Sequence, residues 1–499
     1  MTPYSPAETA STETRTPDDL RLTYVLATIG FAFLIGWELS ATFSPSLALL
    51  GFCDVREATA LRIVSVLTLA ATFAFCAWKA DWAFENRNRL FAIGSLLALA
   101  AVANAFVNTA FAGIPLAVSV VSWALFGVAQ GSIMMYWCVF FSLIPTRRTA
   151  VVIGLGSIGG TLLFVFANAS DTQWLNLSEI TLFIVGSVGL AAYLSTRIPA
   201  ERILPVGAFR RTKVLTVPAA LSVASQGAVY GFMAIELCSM GQEVAVIGGA
   251  SGLVGTLVAL LWALLGSKVD VDMAVVQRIS LPVLMAGMLL FPFFDGLGRV
   301  VCGGMIIAAL AHSTIVGWCT TSIDNYEFRL HPVDRFALRQ TPSYLGFLAG
   351  SAVAYLAVFA YPLAGTQLDL LMVAFALVLV VAFCVYGGDD AQARKRLNEL
   401  LAPPAAERAL EAAGDVGADQ SGPGFFRKRC ELVAQRYALT PREEEVFLLL
   451  AKGRNAEHIA EQLVVSPATA KSHIYHIYRK LDISSQQHLM NIVEDYDGE

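Results

Sequence analysis

The sequence is poor in charged residues. Only 15% of its 499 residues are Asp, Glu, Lys or Arg, whereas 56% are hydrophobic. Soluble domains carry roughly a quarter charged residues, so this composition excludes an ordinary soluble protein and indicates a membrane protein. The formal net charge is −5, which excludes a basic footprint over the whole molecule. Any contact with nucleic acid therefore requires a local cluster of cationic side chains.

The sequence also lacks the motifs of most catalytic and metal sites. Its eight cysteines are scattered, mostly in apolar stretches, with no C-x-x-C pair and no His/Cys cluster at metal-ligand spacing. This pattern indicates buried small side chains rather than a disulfide framework or a zinc site. There is no nucleophile–base pair, and the glycine-rich stretch 154–160 follows no soluble strand, which favours close helix packing over a nucleotide site. We therefore predict no catalysis, no cofactor and no metal.

The amino terminus has neither the basic n-region nor the cleavage site of a signal peptide. Residues 1–20 are rich in Pro, Thr, Ser and acidic side chains. A segment of this composition cannot bury a core, so it is predicted to be a disordered cytoplasmic tail.

Long apolar runs occupy residues 21–388. Each is about twenty residues long, which is the length that an α-helix needs to cross a hydrocarbon core of about 30 Å. About twelve such runs are present. The predicted spans are 22–44, 58–79, 90–112, 115–144, 149–169, 177–196, 214–238, 244–266, 273–294, 299–322, 338–361 and 366–387.

Positive charge alternates between the loops that join these spans. The even-numbered loops carry fourteen Lys and Arg residues, whereas the odd-numbered loops carry two. Because cytoplasmic loops retain Lys and Arg, this alternation predicts a multi-pass protein of the bacterial cytoplasmic membrane with both termini in the cytoplasm.

The longest basic loop, 197–213, follows the sixth span and divides the membrane region into two halves of six. This arrangement resembles the major facilitator superfamily over roughly residues 20–388. Only fragments of that family's loop motif are present, with Asp81, Arg87 and Arg89 after the second span and Gly266 with Asp270 after the eighth. The resemblance is therefore one of architecture.

Several polar side chains lie inside the predicted spans, where an ionised group costs roughly 2.5 to 3.5 kcal/mol on insertion scales. They are Glu38, Gln130, Gln226, Glu236 and His312. In the transporters that this chain resembles, the corresponding spans line a central cavity, so the resemblance implies a pocket for an unknown small-molecule effector. The alternative is a satisfied hydrogen bond between helices, which we favour for Gln130 and Gln226. Arg62 and Arg278 lie nearer span ends and are expected to snorkel.

The composition changes abruptly after the last span. Residues 389–437 are rich in Pro, Ala and Gly and are predicted to form a flexible linker. This linker would separate a membrane domain, 21–388, from a C-terminal domain, 438–499.

Four helices are predicted in the C-terminal domain. Thr440 and Glu443 form a capping box at the start of the first. A second short helix covers 456–463, and Ser466 caps the third. Two short helices joined by a tight turn form a helix-turn-helix unit, whose second member enters the major groove of DNA. The fourth helix, 485–496, is expected to support dimer formation.

The third helix has one apolar side and one polar side. Its apolar residues recur every three or four positions and are expected to pack on the other helices: Ala470, Ile474, Ile477 and Leu481. The opposite side is expected to contact DNA, with Lys471, Ser472 and Tyr475 toward the bases and Thr469, Arg479 and Lys480 toward phosphates. No acidic residue lies between Ser466 and Leu481, although residues 424–499 as a whole hold ten basic and eleven acidic side chains. The alternative is a solvated helix that binds another protein.

This segment resembles the LuxR-type helix-turn-helix of bacterial transcription regulators. The residues that carry the resemblance are Thr440, Arg442, Glu443, Glu445, Val446, Gly453, Asn455, Ile459, Ala460, Leu463, Ser466, Thr469, Lys471, His473, Ile477, Lys480 and Leu481. Two positions depart from the pattern, because Ala470 replaces the usual Val and Gln486 stands where Arg is common. The resemblance implies binding to double-stranded promoter DNA, usually as a homodimer, and no catalysis.

Together these features predict an all-α protein, in which a polytopic membrane bundle of about twelve spans in two six-helix halves carries a small four-helix DNA-binding domain. The expected function is that of a membrane-embedded one-component transcriptional regulator that senses a small molecule or membrane signal, with promoter DNA, membrane lipids and the effector as partners. The main alternative is a transporter of the major facilitator type that carries a regulatory tail. A third interpretation, in which the spans are only an anchor, leaves the polar residues at the bilayer midplane unexplained.

Overall fold

A computed structural model of the chain describes most of the apolar region and part of the C-terminal region. The described residues are 17–44, 55–111, 115–144, 146–168, 172–196, 209, 217–265, 279–327, 329–363, 365–386, 430, 432–434, 436–437, 439–451, 459–460, 463, 466–481, 483, 489 and 493. The first sixteen residues of the predicted tail and residues 389–429 of the predicted linker lie outside the described residues. The chain divides into two compact units, Met1–Leu401 and Ala402–Glu499.

The first unit is built from long apolar helices. They are α1 (Pro17–Phe43), α2 (Val55–Trp78), α3 (Ala80–Glu85), α4 (Arg87–Ala110), α5 (Leu116–Phe141), α6 (Thr146–Ala167), α7 (Gln173–Ser195), α8 (Val217–Ser239), α9 (Gln242–Leu265), α10 (Ser280–Leu290), α11 (Leu297–Glu327), α12 (Pro332–Tyr355) and α13 (Gly365–Tyr386). A short 3₁₀ turn follows α10, and a π-helical turn follows α12.

Ten helices among the described residues are long and apolar enough to cross a membrane, and two shorter apolar helices cover Ser280–Phe293 and Gly365–Leu379. All twelve coincide with predicted spans to within several residues. The unit is therefore a multi-pass helical bundle, as the sequence predicts, while the number of twelve crossings stays a prediction.

Among the helices that extend beyond their apolar runs, α11 and α12 do so at neighbouring ends. α11 continues five residues past the predicted end at 322, and α12 begins six residues before the predicted start at 338. Their polar ends contact each other and α5: Arg335 donates to Asp324 at 2.6 Å, and the Asn325 side chain donates to the Ser142 hydroxyl at 3.1 Å. The apolar run predicts only the membrane-embedded part of each helix. The polar residues beyond it stay helical in α11 and α12, where they hydrogen-bond to neighbouring helix ends.

The bundle contains two hydrophobic cores. One is formed mainly by α1, α2, α4, α5, α6 and α7, and the other mainly by α8, α10, α11 and α13. The halves meet where α2 packs on α12 and α6 packs on α9. This division agrees with the two six-helix halves predicted from the position of the long basic loop.

Glycines line the crossing between α8 and α12, where the two helix backbones touch. A Cβ added at Gly346 would overlap the carbonyl oxygen of Ala224, and one added at Gly350 would overlap that of Ala228. Gly227 and Gly231 of α8 approach the backbone of α12 in the same way. Small residues at four-residue spacing let two helix backbones touch, so each of these helices presents a G-x-x-x-G face to the other.

The predicted glycine-rich contacts are also present. Gly156 and Gly160 lie against the backbone of α1, which explains the run 154–160 as close packing. Gly255, in the run 248–255, lies against the carbonyl oxygen of Ala308 in α11.

Within the second unit the described helices include α14 (Pro441–Ala451) and α15 (Pro467–Leu481). They share a core with single described positions from the neighbouring segments: Cys430, Val433, Val446, Phe447, Leu450, Ala451, Ile459, Ala460, Ala470, Ile477, Leu481, Leu489 and Val493. Ile474, which is predicted to be internal, is only partly buried against this core, as are Leu449 and Leu463. Cys430 and Val433 precede residue 438, so the packed core reaches upstream of the predicted domain boundary.

Candidate functional site

The start of α15 is fixed by a local cap. The backbone N–H of Thr469 donates to the Ser466 hydroxyl oxygen at 3.1 Å, and the hydroxyls of the two residues lie 2.7 Å apart. Pro467 occupies the first helical position, where its missing N–H leaves no hydrogen bond unmade. The predicted N-cap is therefore confirmed, and it sets where the cationic side chains begin.

The two sides of α15 differ as predicted. Ala470, Ile477 and Leu481 are buried, whereas the six residues predicted to contact DNA are all exposed: Thr469, Lys471, Ser472, Tyr475, Arg479 and Lys480. Tyr475 is 64% exposed, and its ring lies against that of His476, which is also exposed. A large aromatic ring held in solvent beside cationic residues is an arrangement suited to a DNA groove. Contact of these side chains with DNA stays a prediction.

Lys480 has a second role inside the domain. Its Nζ donates to Glu443 Oε2 at 2.7 Å, which ties the last turn of α15 to the first turn of α14. The sequence indicates only a phosphate contact for Lys480. Because Glu443 and Lys480 are thirty-seven positions apart, no local spacing rule reveals this ion pair.

The predicted capping box is present at the start of α14. The backbone N–H and the hydroxyl of Thr440 both donate to Glu443 Oε2, at 2.8 and 2.9 Å, and the Glu443 N–H donates to the Thr440 hydroxyl oxygen at 3.3 Å. Burial alone raises the pKa of Glu443, but the hydrogen bonds from Lys480 and Thr440 outweigh it and lower the pKa to about 2. Glu443 thus stays ionised and holds α14 to α15.

We expect Glu443→Gln to destabilise the second unit by about 1 to 3 kcal/mol at neutral pH, since it removes the negative charge that accepts hydrogen bonds from three donors, the Lys480 ammonium and the N–H and hydroxyl of Thr440. The folded pKa lies below the ordinary value of roughly 4.3, so the carboxylate stabilises the fold fully above that pH. This stabilisation is lost as the pH falls toward the folded pKa of about 2. The difference in stability between wild type and Glu443→Gln should therefore decrease as the pH is lowered from 5 to 3.

Cys430 supplies the measurement, because it is buried and is the single cysteine in residues 402–499. The full-length protein is heated at each pH with 4,4′-dithiodipyridine, and modification of Cys430 is followed by peptide mass spectrometry. Glu445→Gln is the matched control, since Glu445 pairs with Arg442 on the surface and such pairs contribute at most about 1 kcal/mol. If the loss of stability caused by Glu443→Gln is the same at every pH, the lowered pKa assigned to Glu443 is wrong.

In the first unit, Met1–Leu401, which we call the membrane unit, two of the predicted polar residues line one cavity. Glu38 and Gln130 belong to a cavity of about 50 Å³ between the two halves, together with Tyr230 and Tyr344. The Tyr344 hydroxyl donates to Glu38 Oε1 at 2.8 Å, so α1 and α12 are joined by a hydrogen bond inside the cavity. A molecule placed here would touch side chains from both halves.

Arg62 also lines this cavity, which corrects the expectation that it snorkels to the surface. Its guanidinium donates to the carbonyl oxygen of Thr42 at 3.0 Å, to that of Ser44, and to Cys238 Sγ at 3.3 Å. The end of α1 leaves carbonyl oxygens without partners in the helix, and these attract the cation inward. Arg278 lies outside the described residues.

The other predicted residues lie elsewhere. Gln226 lines a second cavity of about 60 Å³ and accepts a hydrogen bond from the Ser313 hydroxyl at 2.7 Å, which agrees with the interhelical alternative. Glu236 and His312 are buried but line neither cavity. Within the described residues, Glu236 Oε2 and both ring nitrogens of His312 have no hydrogen-bond partner. Ligand contact by these residues stays a prediction.

The described cysteines and acidic residues form no further site. Six cysteines are described, and each is a buried free thiol. Among the residues that the structure describes, no group of three or more His, Cys, Asp or Glu side chains is placed to hold a metal ion.

Comparison with known proteins identifies the C-terminal segment. Residues 437–493 match the family model for bacterial regulatory proteins of the luxR family. The chain is 41% identical over 59 residues to the transcriptional activator protein ExaE of Pseudomonas putida, covering 12% of this chain and 28% of that protein. It is 39% identical over 54 residues to Rv0890c of Mycobacterium tuberculosis, whose name places it among HTH-type transcriptional regulators. This segment is a LuxR-type helix-turn-helix domain.

These sequence matches cover little of either protein. The chain spans 6% of the length of the mycobacterial relatives and 11% of its own residues are matched. The likeness therefore describes the DNA-binding domain, and it carries no information on the membrane unit.

Solved structures resemble the membrane unit. A bacterial homologue of the iron transporter ferroportin, in its outward-facing state, matches with a TM-score of 0.51 at 13% identity, over 73% of this chain and 98% of that one. The xylose transporter XylE from E. coli, partially occluded and inward open, matches with a TM-score of 0.51 at 13% identity, over 72% and 95%. The unit shares the fold of these two transporters, and because equal scores come from opposite states, the likeness concerns the fold alone.

Proposed function

We propose that this chain is a membrane-embedded one-component transcriptional regulator, which lies in the bacterial cytoplasmic membrane with both termini in the cytoplasm. One observation carries the proposal. The same chain contains a transporter-like bundle and a helix whose exposed side is cationic and free of acidic residues. A DNA-binding helix functions only where the chromosome is, and the excess of Lys and Arg in the even-numbered loops supports a cytoplasmic C-terminus. The domain would bind promoter DNA as a homodimer.

Chromatin immunoprecipitation of the full-length chain, followed by sequencing, tests this proposal. Enrichment of a small set of promoters is the expected result, and these promoters then supply the fragment for binding measurements. The absence of any enriched promoter, or a reporter enzyme fused after Glu499 that is active only outside the cell, would refute the proposal.

The membrane unit is proposed to sense a polar small molecule in the cavity of Glu38, Gln130 and Tyr344. Glu38 offers a hydrogen-bond acceptor, and Arg62 Nε is a buried donor without a partner among the described residues. The ligand would therefore carry both donor and acceptor groups. Because both halves line the cavity, its affinity would depend on their arrangement, which is the differential binding that a signal requires.

We expect Glu38→Gln to reduce the response of a promoter reporter to the effector by roughly tenfold or more, since it replaces one acceptor oxygen of the carboxyl group by an amide NH₂, and a buried group left without its hydrogen-bond partner costs about 1 to 3 kcal/mol. Effectors are found by screening small molecules against the reporter in cells that carry the intact chain. Promoter affinity of the purified full-length protein should be unchanged.

Gln226→Leu is the comparison variant for this test, because its side chain is paired with Ser313 in the second cavity. If Glu38→Gln responds like wild type, sensing through this cavity is abandoned. Uptake of the effector into vesicles, abolished by Glu38→Gln, would instead support the alternative function of a transporter with a regulatory tail.

A further inference from the structure

A second kind of cavity, separate from the cavity of Glu38, is a groove on the outside of the first half. It has a volume of about 350 Å³ and lies between α2 and α4, with α5 as its floor. Its walls are almost entirely apolar, for example Ala71 and Phe75 of α2, Leu90 of α4 and Val128 of α5. One cation, Arg87, stands at its end.

Close packing on α5 produces this groove. Gly131 of α5 lies against Thr72 of α2, and Gly94 of α4 lies against Ser132 of α5. Both outer helices thus pack on α5, whereas they make little contact with each other. The space between them stays open over about two helical turns.

Arg87 has donors to spare. Its Nη1 donates to the carbonyl oxygen of Phe84 at 2.9 Å, and its guanidinium carbon lies 4.8 Å from the centre of the Phe84 ring. A guanidinium has five N–H donors. Within the described part of the chain Arg87 forms no ion pair with a carboxylate, so its charge is left available for an anion.

Side chains around Arg87 are those of a membrane–water interface. Trp78 is 75% exposed and Trp82 is 46% exposed, and Lys79 Nζ lies 4.4 Å from the centre of the Trp78 ring. Exposed tryptophans and basic residues mark the level of lipid headgroups. From this level the groove extends along α2 from Cys76 back to Thr68, a length of about 12 Å into the hydrocarbon region.

We propose that this groove binds an anionic phospholipid, with the phosphate at Arg87 and one acyl chain along α2, α4 and α5. The apolar walls fit an acyl chain, and an unneutralised guanidinium at headgroup depth favours a lipid with net negative charge over a zwitterionic one. The inference depends on the membrane unit alone, so it does not rest on the sensing role proposed above.

Native mass spectrometry of the full-length protein tests the proposal, with phosphatidylglycerol and phosphatidylcholine titrated separately in detergent. Wild type should retain phosphatidylglycerol in preference to phosphatidylcholine. Arg87→Gln should weaken phosphatidylglycerol retention by about fivefold and leave phosphatidylcholine retention unchanged. Arg89→Gln is the matched control, since Arg89 is exposed on the same helix but does not line the groove. Equal losses in the two variants, or no loss in Arg87→Gln, would overturn the proposal.

A second variant tests whether an acyl chain occupies the groove. It also keeps the proposal testable if Arg87→Gln does not fold. Ala71 is an exposed residue of the groove wall, so Ala71→Trp should fill the groove without disturbing a buried contact. We expect it to reduce retention of both phospholipids at least threefold. Undiminished retention of phosphatidylglycerol by Ala71→Trp would place the lipid elsewhere and refute the site.

Discussion

Replacement of Lys471 by alanine is expected to weaken specific binding of the full-length protein to its promoter by about 1 to 3 kcal/mol, or roughly 5- to 150-fold. Lys471 is exposed one position after the buried Ala470, on a helix whose start is fixed by the Ser466 cap. Its ammonium can donate to guanine O6 or N7 in the major groove. The loss should be larger for the promoter than for unrelated DNA, because a base contact carries sequence information and a phosphate contact does not.

A gel-shift titration with an immunoprecipitated promoter and a scrambled duplex measures both affinities. Arg479→Ala, which removes a predicted phosphate contact, should weaken both equally and lower the salt slope by about one. Lys79→Ala removes the same charge from the membrane unit and should change neither affinity. Unchanged promoter affinity in Lys471→Ala would remove Lys471 from the side of α15 that reads DNA.

Gly350→Val is expected to destabilise the membrane unit by about 3 kcal/mol or more, the upper end of what overpacking a core produces. A Cβ at this position would overlap backbone atoms of Ala228 rather than a movable side chain. α8 and α12 would have to separate, and the matching contact between Gly346 and the backbone of Ala224 would be lost with it. Thermal unfolding of the purified full-length protein, followed by tryptophan fluorescence, reports this change because the C-terminal unit has no tryptophan.

Gly189→Val is the matched control for this prediction. Gly189 also lies within a membrane helix, α7, but nothing stands within 4 Å of a Cβ placed there. We expect its unfolding temperature to stay within a few degrees of wild type. Equal effects of the two substitutions would mean that loss of glycine itself, rather than separation of α8 and α12, determines stability.

The helices of both units follow from patterns within single stretches of sequence. A run of about twenty apolar residues predicts a spanning helix because the bilayer offers no partner for backbone polar groups. The caps at Thr440 and Ser466 are equally local, since each joins groups three residues apart. These local patterns do not single out Phe447, which is fully buried beside Val446 and Leu450. The two neighbours Val446 and Phe447 both face the core because the core surrounds more than one side of α14.

The candidate sites depend on contacts between distant residues. Glu38 and Tyr344 are 306 positions apart, and their hydrogen bond exists only because α1 and α12 meet across the two halves. Arg62 was expected to snorkel to the surface because it lies near the end of its predicted span. The sequence does not show the direction in which its side chain points. The carbonyl oxygens at the end of α1 decide that direction. The G-x-x-x-G spacings at 227–231 and 346–350 could be read from the sequence, but their mutual contact could not.

Two classes of segment, apolar spanning helices and a helix-turn-helix with a cationic side, can thus be predicted from the sequence, because both are set by residues close together in the chain. Three other features emerge only when the helices pack: the set of polar side chains that share a cavity, the ion pair of Lys480 with Glu443, and the groove between α2 and α4 that ends at Arg87. These features depend on how far each helix is rotated and how closely it approaches its neighbours. Packing of the whole bundle sets those quantities, and no single segment encodes them.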